Sequence, residues 1–172
     1  MIFGDRQGFA IEAFHEPEGP EWKGFGRLCM HVEGVRVGDI AEQHVSLHHA
    51  ADRFRDLCSN ADVLWDDAFT GLDPTAVFHL IEDALYGTPT GSLEEAIAGM
   101  HRFGRFDLLT GTGEHSDGYQ SFVYRDQGGM LRLLYRLPDG MPQHACFDKA
   151  EVLAPAAAFV RWLEATAGLT SE

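Results

Sequence analysis

Nine histidines and three cysteines are the first residues of this 172-residue chain to weigh for chemistry. His44 and His48 are four apart, the spacing of two metal ligands on one helical turn. Ser46 is the better helix start, however, and places His44 ahead of the helix. Val45-Ser46-Leu47 also lacks the Glu that a zinc-protease helix carries after its first His. No second His or Cys pair at ligand spacing completes a site. Cys29, Cys58 and Cys146 are distant and odd in number, with no CxxC pair, which suits a reducing cytosol. Asp62, Asp66 and Asp67 lack the alternating ligands, central Gly and closing Glu of a calcium loop. Gly111-Thr112-Gly113-Glu114 has no lysine and carries its own negative charge, so it is no phosphate cradle. His115 and Ser116 are adjacent, which is not the geometry of a nucleophile and its base. The expectation is therefore a protein without catalytic residues, without a cofactor and without a stoichiometric transition metal.

Charge carries more information. Between Asp56 and His101 stand nine carboxylates, Asp56, Asp62, Asp66, Asp67, Asp73, Glu82, Asp83, Glu94 and Glu95, and no Lys or Arg. Residues 1–100 carry a net of −12 and residues 101–172 only −2, within a formal total of −14. Such asymmetry predicts an acidic face that repels nucleic acid and anionic membrane and attracts a basic protein. Trp65, flanked by Asp62, Asp66 and Asp67, is either a core plug or the exposed anchor of an interface. The candidate partner-binding residues are thus Asp62, Trp65, Asp66, Asp67 and Asp73.

The elements that position these residues follow from periodicity. Phe9–Phe14 and Phe25–Val32 alternate as strands, and Glu33-Gly34 turns the latter into Val35–Val37. From Ser46 the period becomes helical, with Leu47, Ala50, Ala51, Phe54, Leu57 and Cys58 inward. Asp73 caps a second helix that begins at Pro74 and stops before Gly87, with Val77, Phe78, Leu80, Ile81, Ala84 and Leu85 inward. Ser92 and Glu95 have capping-box spacing for a third helix, expected to bury Leu93, Ala96, Ile97 and Met100 and to stop at Gly104. Strands are expected at Arg105–Thr110, Tyr119–Tyr124, Met130–Leu137 and Gln143–Phe147. A last helix covers about Pro155–Ala167, and Pro155 leaves Lys149–Ala154 open. Strands, helices, strands, helix predict one α+β domain over residues 1–172, with a mainly antiparallel sheet packed against helices. No apolar run is long enough to span a membrane, and the N-terminus meets charge too soon for a signal peptide.

An ordered series over the first third of the chain adds a resemblance. Met1-Ile2-Phe3-Gly4-Asp5, Phe9-Ala10-Ile11-Glu12, Trp22, Gly26-Arg27-Leu28-Cys29 and Gly34-Val35-Arg36-Val37-Gly38-Asp39 precede Ser46-Leu47. This succession resembles the bacterial immunity protein 42 family. The resemblance implies a cytosolic antitoxin of a polymorphic toxin system, which binds a cognate toxin domain and blocks it without catalysis. It transfers no catalytic residue. The alternative is a small cytosolic enzyme or ligand-binding module, whose pocket between sheet and helices would use His31, His115, Tyr119 and His144.

Overall fold

Apolar alternation on both faces of two strands builds the centre of the first sheet in this computed structural model, which describes residues 1–16, 24–42, 44–88, 91–110 and 118–167. Strands β2 (Phe9–His15) and β3 (Phe25–Val32) pair antiparallel, with Glu12 opposite Cys29 and Ile11 opposite Met30. β1 (Ile2–Gly4) and β4 (Val35–Val37) flank them, and β5 (Val45–Ser46) pairs the start of β3. Glu33 and Gly34, at φ 50° and 82°, form the β3–β4 turn, where positive φ at both central residues matches the strand twist.

Three helices follow. α1 (Leu47–Asn60) starts where Ser46 accepts the His49 amide, and α2 (Pro74–Tyr86) where Asp73 accepts that of Ala76. α3 (Leu93–Phe103) opens with a complete Ser92–Glu95 capping box. β6 (Gln120–Arg125), β7 (Leu131–Arg136) and β8 (Gln143–Phe147) form a second antiparallel sheet, and α4 (Lys149–Ala167) packs on β1 and β2. The architecture is α+β, with its antiparallel strands divided between two sheets. The free edges of the first, β1 and β4, are three residues each and too short to carry the ladder further.

Two expectations are corrected and one open stretch is decided. Arg105–Thr110 is not a strand: Gly104–Phe106 continues α3 as a 3-10 turn, and only Asp107 bridges to Phe122. Side chains take over the pairing there, since Ser121 Oγ accepts the Leu109 amide and Thr110 Oγ1 accepts the Ser121 amide, both at 3.1 Å. Lys149–Ala154 is helical despite Pro155. The buried proline ring lies against Gly4, where a Cβ would come within 2.8 Å of Pro155 Cγ, so packing offsets the missing amide. Finally, α3 buries only Phe103 and leaves Leu93, Ile97 and Met100 in solvent. Helical period identifies the apolar stripe, but whether anything lies over it depends on distant chain. Elsewhere the helix faces agree with the periodicity: Leu47, Ala50, Ala51, Phe54 and Leu57 are buried on α1, and Val77, Phe78 and Ile81 on α2. One contiguous core joins both sheets, with Phe54 against Phe159 and Phe78 against Phe122.

Candidate partner-binding surface

The segment joining α1 to α2 carries all five candidate residues: Asp62 and Asp67 lie in its two short 3-10 turns, Ala61–Val63 and Asp67–Phe69, Trp65 lies between the turns, Asp66 caps the second, and Asp73 caps α2. Its apolar residues Leu64 and Phe69 enter the core and fix the backbone between them. Asp66 is drawn inward with them and is 7% exposed. It caps the second turn by accepting the Ala68 amide at 3.0 Å. Arg102 Nε donates to its Oδ2 at 2.9 Å, Arg102 Nη2 donates to Oδ1, and Arg105 Nη2 reaches Oδ2 at 3.2 Å. Hydrogen bonds from Arg102 foremost hold the Asp66 carboxyl below its ordinary pKa, although burial opposes this. Asp66 is therefore a structural anchor whose charge is already met.

The other candidates face outward to different degrees. Asp62 is exposed and pairs with Lys149 at the start of α4, which lowers its pKa. Asp73 is exposed and caps α2, accepting the Ala76 amide at 2.9 Å. Asp67 is exposed and forms no ion pair among the described residues. Trp65 is half-buried and stands edge-on to Phe69 at 5.8 Å. It packs in part against the core and is in part open to solvent.

Basic residues from the second half of the chain thus reach back over the acidic run. Besides Arg102, Arg105 and Lys149, Arg136 pairs with Glu82 while its guanidinium lies over the Phe78 ring. Asp56, Asp67, Asp73, Asp83 and Glu94 remain exposed and free of ion pairs among the described residues. Fewer carboxylates of the run are therefore free of ion pairs than the composition suggests.

Two polar clusters escape sequence reading because their members are far apart in the chain. Asp107 is buried and accepts from Tyr86 Oη at 2.9 Å and the Thr110 amide at 3.3 Å, with Arg53 Nη2 at 3.6 Å. Burial raises its pKa, and these donors only partly counteract the rise. Tyr86 is 47% exposed, yet its hydroxyl is spent here.

The second cluster lies on the outer face of β2 and β3. Donor atoms of Glu12, Cys29 and His31 fall within 4.8 Å of one another. His31 Nε2 is 2.9 Å from Glu12 Oε2 and 3.8 Å from Cys29 Sγ, close to the edges of a tetrahedral zinc site. Yet Arg6 Nη2 also occupies Glu12 Oε2, at 2.8 Å, and burial pushes the Cys29 thiol up to about 12. A metal ion would have to displace that cation and that proton, so the trio is satisfied as a hydrogen-bond network. His44, at φ 68°, precedes α1 and forms no helical pair with His48.

Candidates for a ligand pocket are dispersed. His31 is committed to Glu12, half-buried Tyr119 lines a narrow crevice with Leu28 and Met30, and His144 is exposed on β8. His115 lies outside the described residues, as does Trp22.

Residues 1–163 match the model of the family described as immunity protein 42. The chain belongs to that family. The crystal structure of CdiI from Burkholderia dolosa AUO158 superposes with a TM-score of 0.60 at 14% identity, over 96% of this chain and 99% of that one. At that identity the likeness establishes a shared fold. No curated protein matches the chain. This immunity protein 42 member thus presents an ordered acidic segment and an uncovered helix, while its buried polar clusters are internally satisfied.

Proposed function

We propose that this immunity protein 42 member acts in the cytosol by binding a cognate toxin domain and blocking it without catalysis. Family membership over residues 1–163 carries this reading. The arrangement of the polar residues favours binding over chemistry. Asp107 and Glu12, the carboxylates best placed for acid–base work, are consumed by partners within the chain. No helix among the described residues is long and apolar enough to cross a membrane.

The partner is a basic domain, and the acidic segment between α1 and α2 steers it. Exposed charge at an interface rim accelerates association, whereas desolvated contacts slow dissociation. Asp62, Trp65, Asp67 and Asp73 supply the outward contacts of this segment, and Asp66 holds its shape from within. The test is co-expression with the cognate toxin domain, followed by binding at two salt concentrations. A variant with Asp62, Asp67 and Asp73 all replaced by Asn keeps the α2 cap, because Asn also caps helices. It should protect less well and associate more slowly, with a weaker salt dependence. Unchanged protection and an unchanged salt response would remove the interface from this segment.

A further inference from the structure

Helix α3 is amphipathic, yet its apolar stripe faces solvent. Leu93, Ile97 and Met100 follow one another at helical spacing and are 76%, 45% and 54% exposed. Only Phe103 ties the helix into the core. An ordered apolar stripe with none of the described residues over it marks a surface suited to being covered. It is also preformed: the Ser92–Glu95 box fixes its N-terminal end and buried Phe103 its C-terminal end, so little ordering is left for a partner to impose. Beside it, α2 and α3 enclose an open cleft of about 650 Å³, with Met100, Ala96, Ala84 and Leu85 along its sides and Asp83 and Glu95 among its polar lining.

We propose that this stripe and cleft are the apolar anchor site for the toxin domain, and that the occupant is a basic polypeptide carrying an apolar protrusion. This inference rests on the immunity reading above. Charge selects the occupant. Asp83 and Glu94 border the apolar surface, are exposed, and form no ion pair among the described residues. A second copy of this chain, at a formal net charge of −14, would set the same acidic rim against itself. A cationic partner gains from the rim while its apolar side chains cover Leu93, Ile97 and Met100. The division of labour follows: the carboxylates speed encounter, and the stripe sets residence time.

The test uses the full chain and the cognate toxin domain. Leu93→Ser, Ile97→Ser and Met100→Ser are combined and compared with the Asp62, Asp67 and Asp73 to Asn variant. The stripe variant should weaken binding about tenfold or more, mainly through faster dissociation, and keep the wild-type salt dependence. The acidic variant should lose association rate and salt dependence instead. Circular dichroism and the thermal midpoint check the fold. If the triple variant unfolds, Leu93→Ser alone, at the most exposed position, is read the same way and should still speed dissociation. A wild-type chain that protects, beside an equally protective and folded stripe variant, overturns the anchor and leaves the immunity reading standing. A wild-type chain that neither binds nor protects overturns both. Sedimentation of wild type as a dimer that the stripe variant converts to monomer overturns the assignment of the occupant, because a second copy then fills the site.

Discussion

Asp66 and Asp107 are both buried carboxylates, yet their surroundings leave them on opposite sides of the ordinary aspartate pKa of 3.8. Arg102 and Arg105 hold Asp66 below it. Burial lifts Asp107 above it, despite Tyr86, Arg53 and Thr110. The signs of their pH linkage therefore differ. Asp66 contributes stability that is present above pH 3.8 and is lost as pH falls through its lower folded value. Asp107 is penalised when ionised, so stability is recovered as pH falls through its raised folded value towards 3.8. Asp66→Asn should cost about 1–3 kcal/mol at neutral pH and flatten the acid loss of stability. Asp107→Asn should make that loss steeper. Urea unfolding followed from pH 7 to about pH 3 separates the two, and parallel curves for both variants would reject the assignment. Glu12 belongs to this scale as well. Because Arg6 and His31 already satisfy it, elemental analysis of the purified protein should find no stoichiometric zinc, and one zinc per chain lost in Cys29→Ser would show that metal outcompetes Arg6.

Elements differ in what holds them. α1 and α2 are held by side chains fully out of water, with Phe54 and Ile81 both at 0% exposure. Truncating either to Ala should cost about 2–5 kcal/mol, depending on how far the cavity collapses, and denaturation midpoints report it. α3 buries almost nothing and depends on its cap. Ser92→Ala should cost about 1 kcal/mol, confined to this helix, so amide exchange should quicken in α3 while the global midpoint barely moves. A large global loss would mean that α3 is better integrated than its exposure indicates. α4 tolerates its proline because Gly4, at φ 101°, leaves room for the ring. Gly4→Ala would drive a Cβ to 2.3 Å from the Phe9 carbonyl and should destabilise the β1–β2–α4 corner as severely as a core truncation.

At the scale of the molecule, the acidic run is both scaffold and surface. Its ion pairs with Arg102, Arg105, Arg136 and Lys149 join the helical half to the later half of the chain. On the proposed reading, its remaining carboxylates supply the field that draws a basic partner. Association of wild type with a basic toxin domain should therefore slow steeply as salt rises past about 0.1 M, while dissociation changes little. Stopped-flow measurement across a salt series checks this, and a flat association rate would exclude electrostatic steering.

Local chemistry was legible without coordinates. The caps at Ser46, Asp73 and Ser92, the Glu33-Gly34 turn, the strands at Phe25–Val32 and Gln143–Phe147 and the buried arcs of α1 and α2 each depend on residues within a few positions. The ordered N-terminal series pointed to the immunity protein 42 family for the same reason. What depends on distant chain was decided only by the tertiary structure. Asp66 is a free carboxylate in the sequence, and two arginines 36 and 39 residues away make it structural. Glu12, Cys29 and His31 converge only through the β2–β3 register. The stripe of α3 reads identically whether covered or bare, because periodicity defines a face and only the folded neighbours determine what lies against it.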